Sequence, residues 1–472
     1  MKYIPSIDKN FEPLILKYRS FEKAVLEAEN IDFTICLERH CGYNYIRTIK
    51  IFKDGTGHDK ENYDMIERIV KSMLWVVGGY KFYFKGSKYL YGRFKEDYSL
   101  TGARKFDVEF MAGVYEKPFE VVYTDNIPAF CEEVIKLNSN LGGCRIGFDA
   151  GGSDRKVSAV VDGKVIFSNE TVWNPKINSD PQYHYDGILE SMKLAASKMP
   201  RVDAIGISSA GIYVNNRIMV ASLFLKVNKE DFDKKVKNMY IDVCKEFGDI
   251  PFVVANDGDV TALAGAMDLK DNQVLGIAMG TSEATGYVDE KGNLKGWLNE
   301  LAFVPVDANK EAMVDEWSGD YGCGVKYFSQ DSVIKLANMA GFQFEEGLTP
   351  AQKLKVIQKL AAEDDKLALE IYNNIGVYLG YTLAYYAYFY NIKYVLILGR
   401  VTSGKGGEII LDVAQKVLGE EFPEYKNIKI LMPDENNRRV GQSIAAASLP
   451  EIKWINIKAN IWRKSNVAFF FK

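Results

Sequence analysis

At 472 residues and 47% hydrophobic, the chain has room for about three domains with buried cores, which excludes a peptide or a disordered segment. Basic residues number 59 against 63 acidic, a net charge of −4, and residues 1–143 balance at 21 against 21. Nothing supplies the basic surplus that phosphate-backbone binding draws on, so no nucleic-acid partner is expected.

The first eight residues, Met1 to Asp8, acquire charge too early for the apolar core of a secretory signal. Six cysteines without any CxxC spacing suit a reduced interior better than a disulfide framework or a metal cage. Together these features predict a cytoplasmic chain. Residues 1–143 read as a separate α+β accessory domain, with a strand-like stretch at 33–52 broken at Cys41-Gly42, a helical pattern at 60–73 and an aromatic-rich stretch at 80–98. Small and polar residues gather at 138–143 and mark the boundary.

From Arg145 onward, short apolar runs end in small or acidic residues at 146–149, 202–208, 251–257, 274–279 and 394–398, with helical patterns at 185–198, 231–247 and 350–364 between them. The alternation predicts α/β architecture with parallel strands, whose ligands gather at strand carboxyl ends. Residues 371–392 form an uncharged run of 22. Its Asn373, Asn374 and seven tyrosines favour a buried helix ahead of a core strand over a membrane span, so no membrane association is expected. The segment 451–472 is a separate tail, apolar and aromatic at Ala468 to Phe471, which predicts that it docks.

Four segments carry candidate chemistry. In the first, Asp149 ends a strand and Gly151-Gly152-Ser153 follows, with Arg155 and Lys156 beyond. Paired glycines let backbone N–H groups approach an anion, and Asp149 is placed to hold a hydrated Mg²⁺; a plain hairpin turn fits the pattern equally well. The second, Gly280-Thr281-Ser282, repeats the logic at another strand end. The third, Gly399-Arg400, is a glycine ending a strand ahead of a helix, where a nucleotide's base, ribose or phosphates could rest. The fourth, Asn256-Asp257, ends a strand and opens a small-residue helix. Asp257 could take a proton from a substrate hydroxyl, or the pair could simply cap the helix. His40, His58 and His184 fall outside these loops and read as structural or exposed.

The order Asp-x-Gly-Gly-Ser, Ser208-Ser209-Ala210-Gly211, Asn-Asp, Gly-Thr-Ser, strand-Gly-helix over 145–449 resembles the actin-like ATPase superfamily of sugar kinases, and most closely its ROK (repressor, open reading frame, kinase) family, which includes bacterial glucokinases. The resemblance implies a two-lobed, ribonuclease H-like fold, with lobes at 144–260 and 261–450 preceded by the α+β region. It implies an ATP-dependent carbohydrate kinase with Asp257 as general base. Asn256 and Glu300 become sugar ligands, with Ser209, Gly211 and Gln330 as further substrate contacts. It assigns ATP and Mg²⁺ to Asp149, Gly151, Gly152, Ser153, Lys156, Gly280, Thr281, Ser282, Gly399 and Arg400, with Asp149 at the metal.

Two departures stand out. The family's Gly-Glu-Ile-Gly-His segment is Asn299-Glu300-Leu301-Ala302-Phe303 here, so a phenylalanine replaces a histidine that contacts sugar and ligates zinc. The zinc cysteines shrink to Cys323, and no structural zinc is expected. Phe303 would stack on a sugar or narrow its pocket. The alternative is a non-catalytic sugar-binding protein or regulator; the neutral, strand-rich residues 1–143 do not read as a helical DNA reader. An activator ATPase is disfavoured, because the dispersed cysteines give no iron-sulfur spacing. A homodimer fits the family.

Overall fold

The computed structural model describes residues 1–135, 141–433 and 435–452. The first half of the expected boundary at 138–143 and the aromatic tip of the tail therefore lie outside the described residues.

Among the described residues, fifteen strands organise the fold. In chain order they are β1 (Asn30–Glu38), β2 (Asn44–Phe52), β3 (Lys81–Lys85), β4 (Glu120–Tyr123), β5 (Cys144–Ala150), β6 (Asp154–Val161), β7 (Lys164–Val172), β8 (Ala204–Ser209), β9 (Ile212–Val214), β10 (Arg217–Val220), β11 (Phe252–Asn256), β12 (Val274–Met279), β13 (Glu283–Val288), β14 (Tyr394–Leu398) and β15 (Lys429–Leu431). They form three sheets, ordered β2-β1-β3-β4, β11-β8-β5-β6-β7 and β13-β12-β14-β15, plus the β9-β10 hairpin.

The first sheet and its helices are the α+β region expected at the front of the chain. Cys41-Gly42 form the β1–β2 turn, both at positive φ. The second sheet is mixed: β5, β6 and β7 run as an antiparallel meander, while β8 and β11 add in parallel to β5. The third sheet is mixed in the same way around β12. This is the two-lobed α/β arrangement.

The helix Glu435–Ser448, placed by the sequence reading with the second lobe, packs across β5, β6 and β8 of the first and also on the helix Asp257–Leu269, and its Ala445 and Ala446 share an apolar cluster with Val274 and Leu396 of the third sheet, so it bridges the two lobes. Gly147 and Gly206 are register partners on β5 and β8. A Cβ on either would sit under 2 Å from a carbonyl of that helix, so only glycine admits so close an approach.

The uncharged run at 371–392 lies mostly in the helix Lys366–Tyr386, buried along most of its length, which leads through a short turn into β14. Among the described residues no helix is long and apolar enough to cross a membrane. This helix also centres the largest core. Tyr372, Tyr378, Tyr381 and Tyr385 share one apolar cluster with Leu14, Tyr18, Phe33 and Trp75 from the front of the chain and with Ile277 and Ile397 from the third sheet. The N-terminal region and the second lobe thus share one hydrophobic core, whereas the second sheet has its own around Ile146, Phe148 and Ile207.

Candidate active site

Parallel register brings three strand ends together. Asp149 pairs with Ser208, and Ser209 pairs with both Ala150 and Asn256. Adjacent strand residues face opposite sides of a sheet, and here that splits the two serines. Ser208 donates to Asp149 Oδ1 at 2.7 Å. Ser209, expected at the substrate, is fully buried and accepts from the Tyr240 hydroxyl at 2.8 Å; the strand turns it into the core, not toward the cleft.

Asp149 is 5% exposed, and burial pushes its pKa up to about 6. The Ser208 bond and Lys156 work against that rise, and the nearby Asp257 carboxylate adds to it. Lys156 is held 3.5 Å from Asp154. Arg155 turns away to Glu190, at 2.9 Å, and takes no part in the loop.

Asn256 caps the helix Asp257–Leu269: its Oδ1 accepts from the Gly258 N–H at 2.7 Å. Its amide nitrogen donates to the Gly211 carbonyl, also at 2.7 Å. The capping role weighed from sequence is therefore real, and it leaves the next residue, Asp257, as the half-buried carboxylate at the head of the helix. Burial raises the Asp257 pKa; the Gly258 N–H and the charge of Lys176 act against the rise.

Carboxylates crowd this point. Glu300 is pushed up to about 7 by burial and by the charges of Asp257 and Asp259. Asp259, also at about 7 through burial, accepts from Tyr287 N–H at 3.2 Å and Asn299 Nδ2 at 2.9 Å. Behind them Glu283 is 3% exposed, has no hydrogen-bond partner on either oxygen, and rises to about 8 through burial and Glu300.

The two glycine-bearing loops flank the strand ends. In the first, Gly151 N–H closes onto Asp154 O at 2.9 Å, and Trp173 braces it with bonds to Gly151 O at 2.8 Å and Ser153 O at 3.1 Å. In the second, Gly280 N–H closes onto Ser282 O at 2.9 Å, and the Gln330 N–H donates to Gly280 O at the same distance. Gln330, expected near the sugar, thus anchors the second loop through its backbone. The N–H groups of Gly152, Ser153, Thr281 and Ser282 donate to no other described residue. Arg400 reaches Thr281 Oγ1 at 3.2 Å. Gly399 has φ +103°, and a Cβ there would lie 2.3 Å from Met279 O; glycine alone lets the third segment close on the second loop.

Sequence reasoning missed three residues. Lys176, exposed after β7, lies with its Nζ 3.1 Å from where a Gly152 Cβ would be, and it is the cation that Asp257 feels. Its position comes from the short turn Pro175–Ile177, which carries no motif. Trp75, in the N-terminal helix Asp59–Val77, accepts the Glu300 N–H on its carbonyl at 3.0 Å. Its ring packs on Phe303 at 4.2 Å, so Phe303 rests against the N-terminal region and not in the role of a free stacking face for sugar. His40, read from sequence as structural or exposed, lines a cavity beside Asn256.

The donor set fits a nucleotide triphosphate: unpaired amides on one loop of each lobe, with Lys176 beside the first and Arg400 beside the second. Asp149, oriented by Ser208 and keeping an uncommitted oxygen, fits a hydrated divalent cation. Cys323 faces Lys71 at 3.7 Å and the Asp320 carbonyl at 3.8 Å, and no group of three His, Cys, Asp or Glu side chains suited to a metal occurs among the described residues.

No protein-family profile matches the sequence, and no curated protein matches it. Among solved structures, the chain is similar to a ROK hexokinase from Thermus thermophilus at 14% identity and TM-score 0.52, over 65% of this chain and 97% of that one. That likeness shows the fold: the chain carries the two-lobed α/β architecture of ROK proteins behind an N-terminal region. A ROK family transcriptional regulator, homolog of the E. coli MLC protein, matches at 19% identity, 66% and 80% coverage and TM-score 0.49. A ROK family glucokinase from Streptomyces griseus, solved with glucose and AMPPNP, matches at 19%, 65% and 99% coverage and 0.45.

Proposed function

We propose that the protein is an ATP-dependent carbohydrate kinase. The observation that carries this reading is Asp257, a half-buried carboxylate at a helix head that burial makes more basic, close enough to Asp149 and to Lys176 beside the first loop to interact with both charges. The fold shared with a ROK hexokinase supports it.

In this reading the Gly151-Gly152-Ser153 and Gly280-Thr281-Ser282 amides, with Lys176 and Arg400, hold the ATP phosphates, and Asp149 holds Mg²⁺ through water. When bound, the ion neutralises charge on the β- and γ-phosphates. The sugar lies against Asn256 and Glu300 with one hydroxyl on Asp257. The hydroxyl oxygen bonds to the γ-phosphorus as its proton passes to Asp257 and the bond to ADP breaks, ADP leaving with the electron pair. Asn256, fixed by Gly211 and Gly258, holds the helix head in place, so most of the rate comes from alignment and charge stabilisation.

The test is ATP turnover measured against a panel of hexoses, amino sugars and N-acetylated sugars, for the wild type and Asp257→Ala. Sugar-stimulated ADP release by the wild type alone is expected. A second reading, a sugar-binding protein without turnover, draws on Phe303 being packed against Trp75. Sugar binding without any ADP release would establish it in place of the kinase.

A further inference from the structure

A small cavity of about 60 Å³ lies where the N-terminal region meets both lobes. Its walls include Tyr115 and His40 from the N-terminal region, Tyr213 from β9, Trp297 from the segment before Glu300, and Asn256 and Asp259 from the head of the catalytic helix. Aromatic walls around a few convergent polar groups are the composition of a small-molecule subsite. The volume admits a substituent, not a second ring.

His40 is the anomaly in this cavity. Both of its ring nitrogens are shielded from solvent and neither makes a hydrogen bond. Its nearest charged neighbour is Glu133, 3.4 Å from Nε2, and Glu133 is already claimed by Arg39 at 3.2 Å. Elsewhere the fold does satisfy a buried imidazole: His184 meets the carbonyls of Asp180 and Pro175 at 3.0 and 3.1 Å. Two shielded ring nitrogens without a hydrogen bond, one of them beside a carboxylate that Arg39 already holds, call for an explanation. The ring is also held in place, near-parallel to Tyr115 at 6.2 Å and close to perpendicular to Tyr43 at 5.5 Å. It sits on the three-residue turn His40–Gly42, where Cys41 takes positive φ.

We propose that His40 is a substrate-contacting residue that sets specificity. Its imidazole hydrogen-bonds a hydroxyl or hydroxymethyl substituent that projects into the cavity from a polyhydroxylated ring lying against Asn256 and Asp257. Tyr115 and Trp297 wall the same substituent and limit its size. This rests on the kinase reading and adds to it: the N-terminal region becomes part of the substrate site. A site that hydrogen-bonds a hydroxyl rejects the analogue lacking it.

The experiment takes the sugar from the panel that best stimulates the full-length wild type, together with each of its monodeoxy derivatives. KM and kcat are measured for the wild type, His40→Ala and His40→Gln, with thermal melts run alongside. Expected is a sugar KM raised about tenfold or more in His40→Ala, with kcat and the ATP KM within about twofold, the pattern of lost uniform binding. His40→Gln should recover part of the loss. One deoxy derivative should be penalised in the wild type but not further in His40→Ala, which a merely structural residue would not produce. An unchanged sugar KM in both variants, or an equal penalty on every deoxy derivative, overturns the proposal while leaving the kinase intact. A wild type that neither binds nor turns over any sugar overturns both.

Discussion

Proton affinity at the site is set by burial more than by partners, and Glu283 is the extreme case. Its carboxyl lies beside the Gly324 backbone with both oxygens unsatisfied, and burial with Glu300 lifts it to about 8. A carboxyl whose folded pKa is raised above its unfolded value stabilises the fold below the unfolded pKa and loses that contribution as pH rises toward the folded one. The window here runs from the ordinary glutamate value of about 4.3 to about 8. Glu283→Gln, which mimics the protonated form, is therefore expected to melt near the wild type at pH 5 and well above it at pH 8.5. The difference should be about 1–3 kcal/mol, the usual cost of an unsatisfied buried group. Equal melting temperatures at pH 8.5 would contradict it. At Asp257 the prediction concerns rate: Asp257→Asn should lower turnover by about 10²–10⁴-fold, the usual contribution of a positioned base, with ATP affinity and melting temperature retained.

The helix Asp257–Leu269 joins the carboxylate cluster to the β8–β9 turn through one residue. Asn256 caps the helix with its oxygen and holds Gly211 with its nitrogen. Asn256→Ala should cost about 1 kcal/mol for the lost cap, and it should also reduce sugar-dependent turnover by freeing the Gly211 turn. Asn256→Ser, which keeps the cap alone, should recover stability but not turnover; equal recovery of both would make the residue a cap and nothing more. At this scale much was legible in the sequence, because strand ends, glycine turns and the Asn-Asp pair are local patterns. The serine pair shows where legibility stops. Alternation assigns Ser208 and Ser209 to opposite faces, but only the packing of Tyr240 fixes which face is core. Lys176 and His40 carried no local signal, since each reaches the site across the tertiary fold.

At the scale of the whole molecule, residues 1–143 read as a separate unit because amphipathic faces show that a helix is buried, not what buries it. The structure puts those faces into the core of the second lobe, and a buried charge network seals the contact. Arg68, Lys71 and Arg104 from the N-terminal region converge on Asp320 of the second lobe, with Glu67 bridging both arginines. The cations hold the Asp320 carboxyl well below the ordinary range despite its burial. A depressed carboxyl contributes stability above its unfolded pKa and loses it as pH falls toward the folded value. Asp320→Ala leaves three cations facing one fewer anion and should cost about 3–5 kcal/mol at pH 7, a deficit that narrows as the pH falls below about 4. Since core and charges both cross the boundary, the N-terminal region and the second lobe should melt in one cooperative transition that Asp320→Ala shifts downward as a whole. Calorimetry that resolved a separate N-terminal transition in the wild type would show instead that the region folds on its own. Its aromatic packing on Phe303 would then be a docking contact, not part of one core.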